Sequence, residues 1–144
     1  MIKLKDILNE NITPQYLYHF TIKPFFEQIL ESDTLKENDG DISFTDDENL
    51  WQFKELPEIG EEISVRLKFN FRDILNYSGT TDLSPFVYSE PIPGGQELEH
   101  EKEWRYIGSD IEGIRNLLVS VSSLDYVKDD VMAICQKYGI KYDD

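Results

Sequence analysis

An α+β domain is the fold class that this sequence predicts, and three observations carry it. Residues 15–20 and 61–70 alternate side chains with the period of two that belongs to a strand. Residues 24–32 and 126–138 instead repeat apolar side chains at helical spacing. The chain has 144 residues, 40% of them hydrophobic and 12% aromatic, which suits one folded domain over 1–144 with its own core.

In chain order, residues 3–9 read as a short helix burying Leu4, Ile7 and Leu8, broken by 11–14. The strand at 15–20 places Tyr16, Tyr18 and Phe20 on one face and Leu17, His19 and Thr21 on the other. Pro24 suits the first turn of a helix. That helix runs to Ser32 and is expected to bury Phe25, Phe26, Ile29 and Leu30. The run NDGD at 38–41 is a turn signal. The short strand ISFT at 42–45 follows, with Ser43 and Thr45 sharing a face. Residues 46–49 can cap a turn of helix holding Leu50 and Trp51, ended by Pro57 and Gly60. The clearest strand is 61–70, with Ile63, Val65, Leu67 and Phe69 inward and Ser64, Arg66 and Lys68 outward. Asn70 can cap a helix through Leu75.

Residues 76–96 form the loosest stretch, containing four Gly or Pro positions around Phe86, Val87 and Tyr88 as well as the pair Gly94 and Gly95; a loop of that length is usually functional or mobile. The stretch 98–107, LEHEKEWRYI, puts Glu99, Glu101 and Glu103 on one strand face and His100, Lys102 and Trp104 on the other. Three acids on one face repel unless a cation or ligand uses them, although charge runs usually mark solvated surface. Residues 111–117 lead to a buried strand at 118–121. The helix at 126–138 is expected to bury Val127, Val131, Ile134 and Tyr138, to stop at Gly139 and to lead into a last strand at 140–142. Cys135 lies on that helix with no histidine near it in sequence and reads as a core residue.

The net charge is −15, from 29 acids against 14 bases. Such a surface repels phosphates, so direct nucleic-acid binding is not expected. It suits solubility, or a seat in a basic groove of another protein. A single cysteine excludes an internal disulfide framework. No apolar run approaches a membrane span, and MIKLKDILNE lacks the long apolar stretch of a signal peptide, so the cytoplasm is the expected location and no membrane partner is expected. The two histidines lack the spacing of a metal site.

Three short motifs stand in order: Tyr18-His19-Phe20-Thr21, Ile42-Ser43-Phe44-Thr45 and Glu101-Lys102-Glu103-Trp104-Arg105. Together they resemble the ADP-ribosyltransferase-like superfamily, including small bacterial and phage proteins with a Tyr-His-x-Thr opening and a late Glu-x-Glu. The resemblance covers roughly residues 16–142. It implies two small mixed or antiparallel sheets, flanked by short helices, around a cleft that binds NAD as a substrate. It implies that His19, supported by Thr21, hydrogen-bonds the ribose or amide end of NAD. Ser43 and Thr45 would orient the catalytic Glu103, and Glu101 would sit near the acceptor. Tyr88 would be the counterpart of a stacking tyrosine, and Arg105 one of the bases, with Arg66, Lys68 and Arg72, available to the diphosphate. The pairing of a His first motif with a Ser-x-Thr second motif mixes two subclasses of the superfamily. The function implied is mono-ADP-ribosylation of a host macromolecule by a phage or toxin-type effector, in the host cytoplasm if phage-encoded, with a protein acceptor. Loss of nicotinamide passes through an oxocarbenium-like state, which a preorganised carboxylate stabilises without a metal.

The alternative class is an acidic inhibitor, or nucleic-acid mimic, that binds a host protein without catalysis. It requires Asp46, Asp47, Glu48, Glu58, Glu61, Glu62 and the C-terminal acids in an exposed array.

Overall fold

The computed structural model describes residues 14–37, 40–48, 55–56, 61–77, 86–89 and 103–143. The expected helix at 3–9, the turn holding Leu50 and Trp51, and Glu99, His100, Glu101 and Lys102 lie outside the described residues.

The described chain is α+β. In order it forms β1 (Tyr16–Thr21), α1 (Lys23–Ser32), β2 (Thr34–Leu35), β3 (Asp41–Thr45), β4 (Glu55–Leu56), β5 (Glu61–Glu62), β6 (Val65–Asn70), α2 (Phe71–Tyr77), β7 (Phe86–Ser89), β8 (Glu103–Ile107), β9 (Ile111–Glu112), α3 (Ile114–Leu117), β10 (Leu118–Ser123), a 3-10 turn (Asp125–Val127) and α4 (Lys128–Tyr138). Six strands make one antiparallel sheet in the order β10-β6-β1-β3-β8-β7. The pairs β2-β9 and β4-β5 form separate two-stranded ladders.

The alternation expected of these strands is what buries the core. Leu17 of β1, Leu67 and Phe69 of β6, Ile42 and Phe44 of β3 and Trp104 of β8 are all buried on one sheet face. Helices α1 and α4 contribute Phe26, Leu30, Val131 and Cys135 to the same core. Phe71, Phe86 and Trp104 pack ring to ring, with centroids 5.3–6.0 Å apart.

Several local expectations change in the tertiary setting. The strand expected over 61–70 is broken at 63–64. There the Ser64 N–H bonds the Thr21 carbonyl and the Ser64 carbonyl accepts the Leu124 N–H, so Ser64 is buried rather than outward. Phe25, expected inside, is 39% exposed, because α1 turns Phe26 and Leu30 to the sheet with Ile29 half-buried at their margin. Val127, Ile134 and Tyr138 are half-buried at the margin of the core, while Val131 is fully buried. The stretch read as loop at 76–96 contains β7, which pairs with β8 at the sheet edge. The last strand reduces to one parallel bridge, Val121 with Tyr142.

Candidate functional site

The sheet is weakly joined at its middle. Strand β1 pairs with β6 along six positions, Tyr16↔Asn70 through Thr21↔Val65. It pairs with β3 only at Tyr18↔Thr45. Beyond that pair the two strands part, and the sheet divides into a β10-β6-β1 half and a β3-β8-β7 half. A cleft of about 1060 Å³ opens there, lined by His19 and Thr21 of β1, Asp41 and Ser43 of β3, and Phe25 and Gln28 of α1. One residue, the N-cap Ile22, separates β1 from α1, which has Pro24 in its first turn, so the same chain segment supplies the floor and a wall.

His19 sits at the closed end of the parting strands. Its Nδ1–H donates to the Ser43 carbonyl at 2.9 Å, since a carbonyl can only accept. That bond selects the tautomer and leaves Nε2 as the ring's acceptor. The ring lies edge-on to Phe44, with centroids 6.0 Å apart. Burial lowers the His19 pKa from 6.5, with the bond to the Ser43 carbonyl acting in the opposite direction. The histidine is therefore a neutral, oriented hydrogen-bond acceptor at neutral pH.

The register distributes the expected site residues over two sheet faces. Thr45, paired with both Tyr18 and Glu103, shares one face with Ser43, Arg105, Arg66 and Lys68. His19 and Thr21 lie on the other, core-side face. Position 88 pairs with Trp104 and so belongs to the core-side face, but on β7, with β3 and β8 between it and His19. His19 and position 103 are thus not neighbours on one face. The cleft nevertheless reaches both faces, since its lining includes His19 from one and Ser43 from the other.

Thr45 is buried, and its hydroxyl accepts the Asp47 N–H at 3.0 Å, a strand-ending turn. Ser43 is exposed. Arg105 reaches Asp41 across β3-β8 at 3.4 Å. Arg66 donates to Ser122 at 3.1 Å and lies over the Tyr18 ring, and Lys68 lies over the Tyr16 ring at 4.0 Å. Arg72 is exposed on α2. Asp46 accepts the Trp104 indole N–H at 3.1 Å.

Sequence reasoning passed over Phe25 and Gln28 as site residues. Phe25 reads from the sequence as part of a core stripe with Phe26, Ile29 and Leu30, and its spacing with Gln28 and Ser32, three and seven positions on, was the available signal. Among the described residues no group of three His, Cys, Asp or Glu side chains is placed to hold a metal ion, and no helix is long and apolar enough to cross a membrane. Compared with protein-family models, curated proteins and solved structures, the chain matches none.

Proposed function

We propose that this chain is an ADP-ribosyltransferase-like protein that takes NAD into the cleft between β1 and β3 and transfers ADP-ribose to a protein acceptor. The observation that carries the reading is the parting of those two strands around His19, whose Nδ1–H is tied to the Ser43 carbonyl and whose Nε2 is left to accept a bond. A neutral acceptor fixed in orientation suits a ribose hydroxyl, which donates, better than it suits a phosphate oxygen, which does not. The order of motifs adds support, since Ser43 lines the cleft and Thr45 is the register partner of Glu103.

In this reading the bond from the ribose anomeric carbon to the nicotinamide nitrogen breaks, and nicotinamide leaves with the electron pair. The acceptor's nucleophile then bonds the anomeric carbon and gives up its proton. The Glu103 carboxylate holds a ribose hydroxyl and stabilises the developing cation, and Glu101 assists the acceptor. Ser43 and His19, which line the same cleft, hold the ribose.

The test measures nicotinamide release and acceptor labelling separately. Glu103→Gln keeps shape and removes charge, so both readouts are expected to fall on the order of 10²–10³-fold while NAD binding survives. Glu101→Gln is expected to reduce labelling and leave hydrolysis nearly intact. Full activity of Glu103→Gln would sink the reading. Absence of any NAD-induced rise in melting temperature, together with tight binding to a basic protein, would instead favour the acidic inhibitor.

A further inference from the structure

Helix α1 presents two stripes. Phe26 and Leu30 enter the core. Phe25, Gln28, Ile29 and Ser32 follow one another at helical spacing and line the cleft. Within that second stripe Phe25 keeps 39% of its surface exposed and Gln28 is exposed, whereas Ile29 is half-buried against the core. An aromatic face, an amide with both donor and acceptor capacity and the His19 acceptor therefore line one concavity. That combination suits a flat heterocycle with a hydrogen-bonding edge. An acyl chain would leave the amide and the imidazole without partners, at a desolvation cost.

We infer that Phe25 and Gln28 form the ring-binding wall of the cleft, with Phe25 stacking on a planar heteroaromatic ring of the dinucleotide and Gln28 bonding that ring's polar edge. This rests on the NAD reading above and names specificity residues for it. Stacking explains why a phenylalanine stays on the open side of a helix whose core contacts are already complete, since the ring supplies the apolar cover that the fold does not. Gln28 lies three residues on, close to one helical turn or about 5 Å along the axis, within reach of the edge of a ring stacked on Phe25. Nicotinamide and adenine share this chemistry, and the experiment separates them.

Calorimetric titrations would use NAD, nicotinamide mononucleotide and AMP against wild type, Phe25→Ala, Phe25→Tyr and Gln28→Ala, with circular dichroism to show that each variant is folded. Phe25→Ala is expected to weaken NAD on the order of ten-fold or more, the scale of a lost base-to-aromatic stack. The same variant should weaken one mononucleotide and spare the other, which identifies the stacked ring. Phe25→Tyr should bind like wild type, and Gln28→Ala should weaken the same mononucleotide that Phe25→Ala does. Wild-type affinity of Phe25→Ala for all three ligands would overturn this inference while the NAD reading stands. Equal weakening of both mononucleotides would show a general disturbance of the cleft and also overturn it. Failure of wild type to bind NAD or either fragment would remove the NAD reading itself.

Discussion

His19 and Cys135 are both held neutral by burial, and each leaves a pH signature of opposite direction. For His19 the folded pKa lies below 6.5. Above that value both states carry the neutral ring and pH has no leverage. Below it the unfolded chain gains a proton that the folded chain resists, so stability falls with pH until the lower folded pKa is reached. Urea midpoints measured from about pH 7 down to about pH 5.5 should therefore decline more steeply for wild type than for His19→Gln. Equal slopes would mean that the imidazole is not held neutral. His100 is present in both proteins and cancels in the comparison. For Cys135 burial pushes the thiol from 9.0 up to about 11. The folded state retains the proton that the unfolded chain loses, so stability falls as pH rises from 9.0 toward about 11. At neutral pH an aromatic disulfide reagent should label Cys135 only at the rate at which the core opens, and labelling as fast as for a free thiol would contradict its packing. The sequence already indicated the inert cysteine, from its place on a helix beside Ile134 with no histidine near it. It did not indicate the tautomer of His19, because the Ser43 carbonyl is 24 residues away.

Among the elements, β8 and the end of α1 carry the most instructive residues. Trp104 is 1% exposed, packs against Phe71 and Phe86, and donates its indole N–H to Asp46. Trp104→Ala removes that packing and the indole's hydrogen bond to Asp46, so a loss of about 3–5 kcal/mol is expected in denaturant unfolding. A loss below about 1 kcal/mol would mean that β8 is not seated in the core. Asp33 closes α1 in the left-handed conformation, with φ 55°, and its side chain accepts the Arg115 N–H at 2.8 Å and pairs with the Arg115 Nε at 3.2 Å. Its carbonyl also takes the N–H groups of Gly113 and Ile114, tying α1 to the start of α3. Asp33→Ala keeps the carbonyl bonds but loses the side-chain acceptor and puts a β-carbon residue with no local hydrogen bond at positive φ. It should cost about 1–3 kcal/mol, while Asp33→Asn, which tolerates that conformation and still accepts, should cost under about 1 kcal/mol. Equal effects of the two substitutions would assign the loss to charge rather than to backbone and acceptor. At this scale strand faces and helix ends were readable from period and capping residues, as Leu17, Leu67, Phe69 and Gly139 show. β7 was not, because a four-residue edge strand amid prolines and glycines has too short a period to stand out.

Taken whole, the molecule carries 15 negative charges in excess. Against them, Lys23 lies 3.5 Å from Asp130, and Arg105 and Arg115 reach Asp41 and Asp33. Like charges spread over a small surface repel, and salt screens them over about 10 Å at 0.1 M. The melting temperature should accordingly rise between roughly 20 mM and roughly 0.5 M sodium chloride. A fall would mean that these ion pairs outweigh the repulsion.

Which side chains share a face in β1, β3 and β6, where α1 and α4 end, the α+β class and the acidic character were all legible in the sequence. These are local properties, set by backbone period, turn chemistry and composition. Only in the folded chain is it settled that β1 meets β3 at Tyr18 and Thr45 and then parts from it, that register positions 19 and 103 belong to different sheet faces, and that Phe25 turns to the cleft instead of the core. A strand's alternation is the same whichever neighbour it takes, and a shift of one residue in register exchanges its two faces. Pairing between β1 and β3, 24 residues apart from His19 to Ser43, is settled only when the whole apolar face closes over Trp104, Phe44 and Phe69.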